Sequence, residues 1–550
     1  MKLIIIGGVA GGASAAARAR RLSESAEILL IERGPDVSFA NCGLPYHIGE
    51  VIPQRDKLLV TTPQRLRERF RLDVRTRTEA LRIDRGARKV HLIDYVTGRT
   101  YEESYDRLIL APGAAPFRPA IPGADLPGVF TLRNLTDTDR IKQAIDGGIS
   151  AAVLVGAGFI GLELAENMVH RGVRTTILDL NKQILAPFDP EMTTPLLQAV
   201  RDKGIEVLLG QTAEAIEPIE TGLRVRLTNG DTRDAGIVLL GIGVRPENQL
   251  AVEAGLETGP RGGIRVNEYL QTSDPDIYAV GDAVETSEFL TGERVQVPLA
   301  GPANRQGRIA ADNALGRLTR FRGTQATAIL GFFGHTAAMT GVSEKTLRRL
   351  GRDYRKIYIH PAHHAGYYPG AESMSLKLLF DPADGRILGA QAIGGAGVDK
   401  RIDVLSVAIQ GRMTVFDLEE MELCYAPQFG SAKDPINMAG FVAAGLLRGD
   451  HPQIHLESLL EGGERPFVLD VRTPAEFEQG HLPAAINISI DELRDRRAEL
   501  PTDRPIVTYC QVGQRGYLAT RLLMQWGYRV RNLSGGYKTY LLHNQNQKGA

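Results

Sequence analysis

Two stretches of this 550-residue chain each run from a strand-like segment through a glycine turn into an alanine-rich helix and on to a second strand, and a third stretch, from about Leu456, alternates strands and helices afresh. These observations predict an α/β fold: two Rossmann-like dinucleotide-binding domains, a mixed α+β domain after them, and a small C-terminal α/β domain. The first stretch is KLIIIGGVAGGASAAARARR followed by EILLIER; the second is AAVLVGAGFIGLELAENMVHRG followed by RTTILDL. Length alone calls for about three or four domains, because a single core stops growing well below this size. The predicted boundaries are 1–113 with 241–320 for the first nucleotide domain and 114–240 for the second. They continue with 321–447 for the α+β domain, 448–455 for a linker carrying Gly, Asp and Pro, and 456–550 for the last domain.

Lys plus Arg equals Asp plus Glu, at 65 each, so no overall basic field points to nucleic acid or a membrane surface. No apolar run reaches the roughly 18 residues a bilayer needs, which argues against a membrane span. Met1 and Lys2 lead straight into Leu3 to Ile6 and then glycines, a buried strand rather than an export signal. Three cysteines in such a length cannot form a disulfide framework; they suit a reducing cytoplasm, where each thiol is a possible reagent.

In the second unit Gly156, Gly158 and Gly161 complete GxGxxG directly after a strand, so the turn is tight, the backbone can approach a pyrophosphate, and the helix N-terminus faces the phosphates. Asp179 ends the next strand about twenty residues on, where a carboxylate binds a ribose 2′-hydroxyl and repels a 2′-phosphate. That favours NADH, with NADPH possible because Lys182 lies close by. The first unit supplies Gly7 and Gly12 but has Val9 at the middle glycine position, so the strict fingerprint fails there. Glu32, with Arg33 beside it, stands where the adenosine ribose of a second dinucleotide would be held.

YAVGDA, with Gly281 and Asp282, and LILAPGA, Leu108 to Ala114, resemble the FAD-binding and exit-strand motifs of two-dinucleotide flavoprotein reductases. The four motifs occur in that family's order. The resemblance implies FAD in the domain 1–113 with 241–320, NAD(H) in 114–240, and a dimerisation role for 321–447.

SFANCGLPYHIGE then places Cys42 near the start of a helix. Glutathione reductase and its relatives carry two cysteines here, but the second position is His47, so no internal disulfide can form. A single thiol must cycle between thiolate and an oxidised form, and a helix N-terminus and a neighbouring flavin would both favour the thiolate. The stretch resembles the SFANC motif of CoA-disulfide reductases, which are related to single-cysteine NADH oxidases and peroxidases. That resemblance makes Cys42 the redox nucleophile. It also implies that Tyr367 and Tyr425, in HHAGYYPGA and CYAPQFGSAKDP, approach the substrate sulfur from the partner subunit of a homodimer. Ser14, Arg18, Arg21, Ser38, Asn41 and Lys433 fall where the family contacts coenzyme A. His360, His363 and His364 have no metal-ligand spacing, so no metal is expected, and Cys424 is expected to be packed rather than catalytic.

The last domain contains VLDVRTPAEFEQGHLPAAINIS and IVTYCQVGQRGYLATRLLMQWGYRVRNLSGGY, which resemble rhodanese from Asp470, Arg472, Glu476, Gly480 and His481 to the loop beginning at Cys510. Successive amides of that loop and the following helix can surround a thiolate or persulfide, Gly513 lets the loop curl, and Arg515 adds positive charge. The implied chemistry is sulfur transfer through a Cys510 persulfide. Gly516 departs from the Ser of many relatives, which puts thiosulfate specificity in doubt. Together these features imply an NADH-dependent, FAD-containing reductase of CoA disulfide, CoA persulfide or polysulfide, coupled to sulfur transfer. The alternatives are an NADH oxidase or peroxidase cycling through Cys42 sulfenic acid, and a persulfide or redox sensor.

Overall fold

The computed structural model describes residues 1–461 and 465–548; residues 462–464 and 549–550 of the predicted last domain lie outside the described residues. The chain forms two compact units, Met1–Asn181 with Lys203–Ala326, and Lys182–Asp202 with Thr327–Ala550.

The first unit holds two five-stranded parallel sheets. One runs in the order Ile277–Ala279, Arg107–Leu110, Lys2–Ile6, Glu27–Glu32, Asp73–Thr76. The other runs Glu206–Leu209, Arg174–Asp179, Ala151–Val155, Ile237–Leu240, Val129–Phe130. Both central strands are near-continuous apolar runs because both faces of a parallel sheet are covered. In each sheet the glycine turn follows the central strand, whose register pairs Ile6 with Ile31 in one and Val155 with Leu178 in the other. The acidic residue therefore ends the neighbouring strand beside the turn. The first helix, Ala10–Leu22, presents glycine and alanine to its surroundings and lies close to the helix Ala300–Ala314: a Cβ on Gly307 would sit 2.1 Å from the Gly11 carbonyl oxygen.

The second unit contains a five-stranded antiparallel sheet, Ala328–Phe332, His335–Gly341, Ile387–Gly394, Met374–Phe380, Arg355–Ile359, and a parallel sheet, Gln453–Ile454, Val530–Leu533, Ile506–Tyr509, Phe467–Asp470, Ile486–Asn487. Two sequence boundaries shift. The helix Pro190–Asp202, expected with the second nucleotide domain, belongs to this unit: Asp189 accepts from the Glu344 N–H and Thr194 donates to the Leu542 carbonyl. The second unit resumes at Thr327. Within the expected linker, Gln453 and Ile454 form an edge strand on Val530–Leu533, satisfying backbone groups that a free linker would leave to water.

Beneath the antiparallel sheet lies a charge cluster with no sequence signature. Lys377, fully buried, places its ammonium 2.9 Å from Asp189, 2.6 Å from Glu191 and 2.5 Å from Glu344. Lys356 bridges Glu344 at 3.0 Å and Glu457 at 2.9 Å. Burial opposes these charges, but the two ammonium groups overcome it and hold the Glu344 carboxyl at about 2. Among the described residues, Asp189, Glu191 and Glu344 alone have the mutual spacing of metal ligands, and the Lys377 nitrogen already stands at their centre. Among the described residues no helix is long and apolar enough to cross a membrane.

Candidate active sites

Both glycine turns have the same construction. Gly7 and Gly156 adopt φ of +99° and +115°, a region closed to most side chains. A Cβ on Gly12 would lie 1.8 Å from the Gly7 carbonyl oxygen, and one on Gly161 would lie 2.0 Å from that of Gly156, so each third glycine is demanded by helix–strand contact. Gly158 meets nothing within 4 Å, which leaves its face open to a ligand. The acid ends braced on the turn: Glu32 accepts from the Gly8 N–H at 2.8 Å and the Gly34 N–H at 2.7 Å, and Asp179 accepts from the Ala157 N–H at 2.7 Å. Val9 therefore does not spoil the first turn. Glycine cradles and an anchored carboxylate fit a dinucleotide at each turn. Arg33 is instead engaged by Glu247 at 2.9 Å and Glu79 at 3.2 Å. Gly281 adopts φ +80°, and burial pushes the adjoining Asp282 carboxyl up, against the opposing charge of Arg133.

Cys42 lies in the 3₁₀ turn Asn41–Gly43, which leads into the short helix Leu44–Ile48. The turn is pinned by Leu44, Leu58 and Leu135 packing together; a Cβ on Gly43 would come within 2.5 Å of the Leu58 side chain. Cys42 is exposed, and His47 is buried with its Nδ1 at 2.6 Å from the Ile52 carbonyl oxygen. Of the two influences expected to favour the Cys42 thiolate, only the helix start belongs to the chain itself. Crowding on its inner side pushes the Cys42 thiol up despite its outward exposure, the carboxylates of Glu163 and Asp282 add to the shift, and only the turn's N–H opposes it. So short a turn supplies too little helix field to overcome nearby carboxylates.

Glu163 was not singled out in the sequence. It lies on the helix Phe159–His170 after GxGxxG; burial raises its carboxyl to about 7, although Tyr46 donates a hydrogen bond to it at 3.3 Å. Tyr46 is itself pushed up to about 12 by burial and by Glu163. The only local signal was its place one turn beyond the glycines.

The proposed substrate residues fare unevenly. Ser14, Arg18 and Arg21 share a face of the helix Ala10–Leu22, but Arg18 is neutralised by Asp312 at 2.7 Å and Ser14 donates to Asn304 at 2.5 Å. Arg21 and Asn41 are exposed, while Ser38 holds φ +49° with its N–H on the Gly8 carbonyl at 2.8 Å. In the second unit Lys433 is exposed. Tyr367 and Tyr425, far apart in sequence, bring their hydroxyls 3.0 Å apart with both rings exposed, 76% and 50%. The hydrogen bond raises the Tyr367 phenol. Cys424 is exposed, contrary to the packed position expected of it. His360 is buried between Ser375 and Thr539, at 2.9 and 2.8 Å, and burial lowers it to about 3.

Cys510 ends the strand Ile506–Tyr509 and is 1% exposed. Its sulfur accepts the Gly513 N–H at 3.2 Å, and Gly513 takes φ +98° to curl the loop into the helix Gln514–Gln525. The loop is braced on every side. Arg472, paired with Asp470 at 2.6 Å, donates to Gln511 at 3.1 Å; Asn532 donates to the Gly513 carbonyl at 2.9 Å; the Tyr537 N–H reaches the Cys510 carbonyl at 2.8 Å. Arg515 pairs with Glu476 at 2.6 Å, which raises its guanidinium, and the nearby Cys510 sulfur adds to that shift. A Cβ on Gly516 would lie 2.2 Å from Asn532 Oδ1, so the departure at this position makes room for the asparagine that holds the loop.

Comparison with known proteins matches residues 1–307 to the family described as pyridine nucleotide-disulphide oxidoreductase, 327–434 to its dimerisation domain, and 454–543 to the rhodanese-like domain. The chain is similar to the coenzyme A disulfide reductase of Staphylococcus aureus, 36% identical over 80% of this chain and 99% of that one. Its fold is similar to that of reduced CoADR-RHD of Bacillus anthracis, with a TM-score of 0.96, 45% identity and 98% of each chain covered. A NAD-dependent persulfide reductase from A. fulgidus has a TM-score of 0.91 and 36% identity, over 98% of this chain and 100% of that one.

Proposed function

The chain belongs to the pyridine nucleotide-disulphide oxidoreductase family, and from that premise we propose that it uses NADH to reduce CoA persulfide, CoA disulfide or polysulfide at Cys42 and moves sulfane sulfur through Cys510. The observation that carries the reading is a solitary exposed thiol in a unit built around two dinucleotide turns: of the chain's three cysteines, Cys42 alone lies in that unit. It has no local partner with which to store electrons as a disulfide, so the oxidised partner must come from the substrate.

Family membership implies FAD and a nicotinamide nucleotide. Gly7, Gly12, Glu32, Gly281 and Asp282 would hold the flavin nucleotide, and Gly156, Gly158, Gly161 and Asp179 the nicotinamide nucleotide. When bound, the flavin supplies two electrons, taken as hydride from NADH, to the sulfur beside it. Cys42 Sγ attacks the inner sulfur of CoA persulfide, the S–S bond breaks, sulfide leaves, and Cys42 is joined to CoA as a mixed disulfide that those electrons cleave. With CoA disulfide, CoA thiolate leaves instead. Glu163 and Tyr46, ionisable neighbours of Cys42, are the groups available to protonate a departing sulfur.

The matched dimerisation domain supports a homodimer in which the exposed Tyr367 and Tyr425 pair faces the substrate at the partner subunit's Cys42. Arg21, Asn41 and Lys433 are the exposed groups available to coenzyme A; Arg18, already paired, would contribute packing more than charge. In the last domain, the Cys510 thiolate takes the outer sulfur of a sulfane donor, whose remaining fragment leaves as a thiolate. The resulting persulfide then yields that sulfur to an acceptor thiol. A reducing cytoplasm suits thiols in this role.

Steady-state NADH oxidation with each candidate substrate tests the reading. Wild type turns over with CoA persulfide or CoA disulfide, Cys42→Ser falls to background with all of them, and Cys510→Ser loses sulfur transfer but keeps NADH oxidation. Full turnover by Cys42→Ser, or stoichiometric NADH consumption by oxygen with no acceleration from CoA persulfide, overturns it.

A further inference from the structure

Arg515 stands in the first turn of the helix that follows the Cys510 loop. An arginine in such a place is rotamer-rich and turns toward water unless it is restrained. Here it is restrained: its two terminal nitrogens meet the two Glu476 oxygens at 2.7 and 2.6 Å, the parallel geometry of a guanidinium–carboxylate fork. Glu476 is fixed in turn. It is the acidic arm of a capping box: Thr473 donates to Oε2 from its N–H and from its hydroxyl, both at 3.0 Å, and the Glu476 N–H returns to the Thr473 hydroxyl at 3.3 Å. A guanidinium has five N–H donors, and the fork uses two of them. The Gly513 N–H that meets the Cys510 sulfur at 3.2 Å lies two residues before Arg515, and the nearby sulfur adds to the upward shift that Glu476 gives the guanidinium.

We propose that Glu476 is a positioning residue for sulfur transfer, anchoring Arg515 so that its charge stays beside the Cys510 loop through each change of charge there. The role deepens the sulfur-transfer reading of Cys510. Two opposite signs separate it from a bystander role. A carboxylate that merely neutralised Arg515 would weaken the positive field at the sulfur, so its removal would speed reactions of the thiolate. A carboxylate that anchors Arg515 does the reverse: without it the cation leaves, and the thiolate loses its partner.

The test uses the full chain carrying Cys42→Ser and Cys424→Ser, so that Cys510 is the single thiol, and follows its alkylation by iodoacetamide across pH. With Glu476→Gln the profile moves to higher pH and the rate at neutral pH falls by about tenfold, the scale of one charge-assisted hydrogen bond. Introduced into an Arg515→Gln chain, the same change has no further effect, because the two residues act as one unit. Thr473→Ala, which loosens the hold on Glu476 and leaves the fork, lowers thermal stability and moves the profile in the same direction as Glu476→Gln but by less. A profile that moves to lower pH, or a Glu476→Gln effect that persists without Arg515, refutes the proposal. Alkylation reads the sulfur whether or not the domain transfers sulfur, so failure here is distinguishable from failure of the sulfur-transfer reading.

Discussion

Gly516→Ala tests whether the departure at this position serves packing of the sulfur loop. The added methyl would stand 2.2 Å from Asn532 Oδ1, more than an ångström inside normal contact, and Asn532 is 1% exposed, so the amide must swing away. It then gives up its 2.9 Å bond to the Gly513 carbonyl and its 2.9 Å contact with His451 Nε2. His451 is held neutral, lowered to about 4 by burial and by Arg521, so it can accept that bond. Two lost hydrogen bonds and a stranded carbonyl cost about 2–4 kcal/mol. Alanine's better helix propensity returns about 1 kcal/mol, so a net destabilisation of about 1–3 kcal/mol is expected. Trp526 is the only tryptophan in the chain and packs against the core of the same domain, so its fluorescence reports unfolding of that domain in urea. In an Asn532→Ala background the clash is gone and the alanine at 516 should instead stabilise by about 1 kcal/mol, its helix-propensity gain. Unfolding of Gly516→Ala within about 0.5 kcal/mol of wild type, the range of an inert surface change, would refute the packing argument.

Lys377→Met leaves Asp189, Glu191 and Glu344 buried without their central cation and should cost about 3–5 kcal/mol. The pH signature decides the cause: in wild type the Glu191 and Glu344 carboxyls are depressed, Glu344 to about 2, so their stabilisation is present at neutral pH and is lost as pH falls through those depressed values. In the variant they are raised by burial, and hydrogen-exchange protection of the strand Met374–Phe380 should instead increase as pH falls from neutral toward the ordinary carboxylate range; protection that falls with pH as in wild type excludes the argument. Glu163→Gln removes a negative charge that holds the Cys42 thiol up, so the pH profile of Cys42 alkylation should shift to lower pH. A shift to higher pH would mean that Glu163 assists the thiolate rather than opposing it.

What the sequence made legible is what short-range sterics dictate. Gly7 and Gly156 announce themselves because glycine fits a left-handed turn, Gly12 and Gly161 because a Cβ there would strike the turn's carbonyl oxygen, and Glu32 and Asp179 follow at the distance the next strand imposes. Cys510 and Gly513 are readable for the same reason, since one loop contains both the sulfur and the amide that meets it. Groups gathered by tertiary structure left no such mark. Asp189, Glu191, Glu344, Lys356, Lys377 and Glu457 each look like a solvated surface residue, and only the fold reveals that they share one dry cluster. Cys42 shows the same limit in chemical form. Its position was legible, but its ionisation depends first on burial and then on Glu163 and Asp282, residues more than a hundred positions away, and together these oppose the thiolate that the helix start alone would favour. Burial and the chain's own charges oppose the thiolate, so the expected flavin is the neighbour left to favour it. Cys42 reactivity in this chain should accordingly depend on its bound nucleotides more strongly than the motif around it suggests.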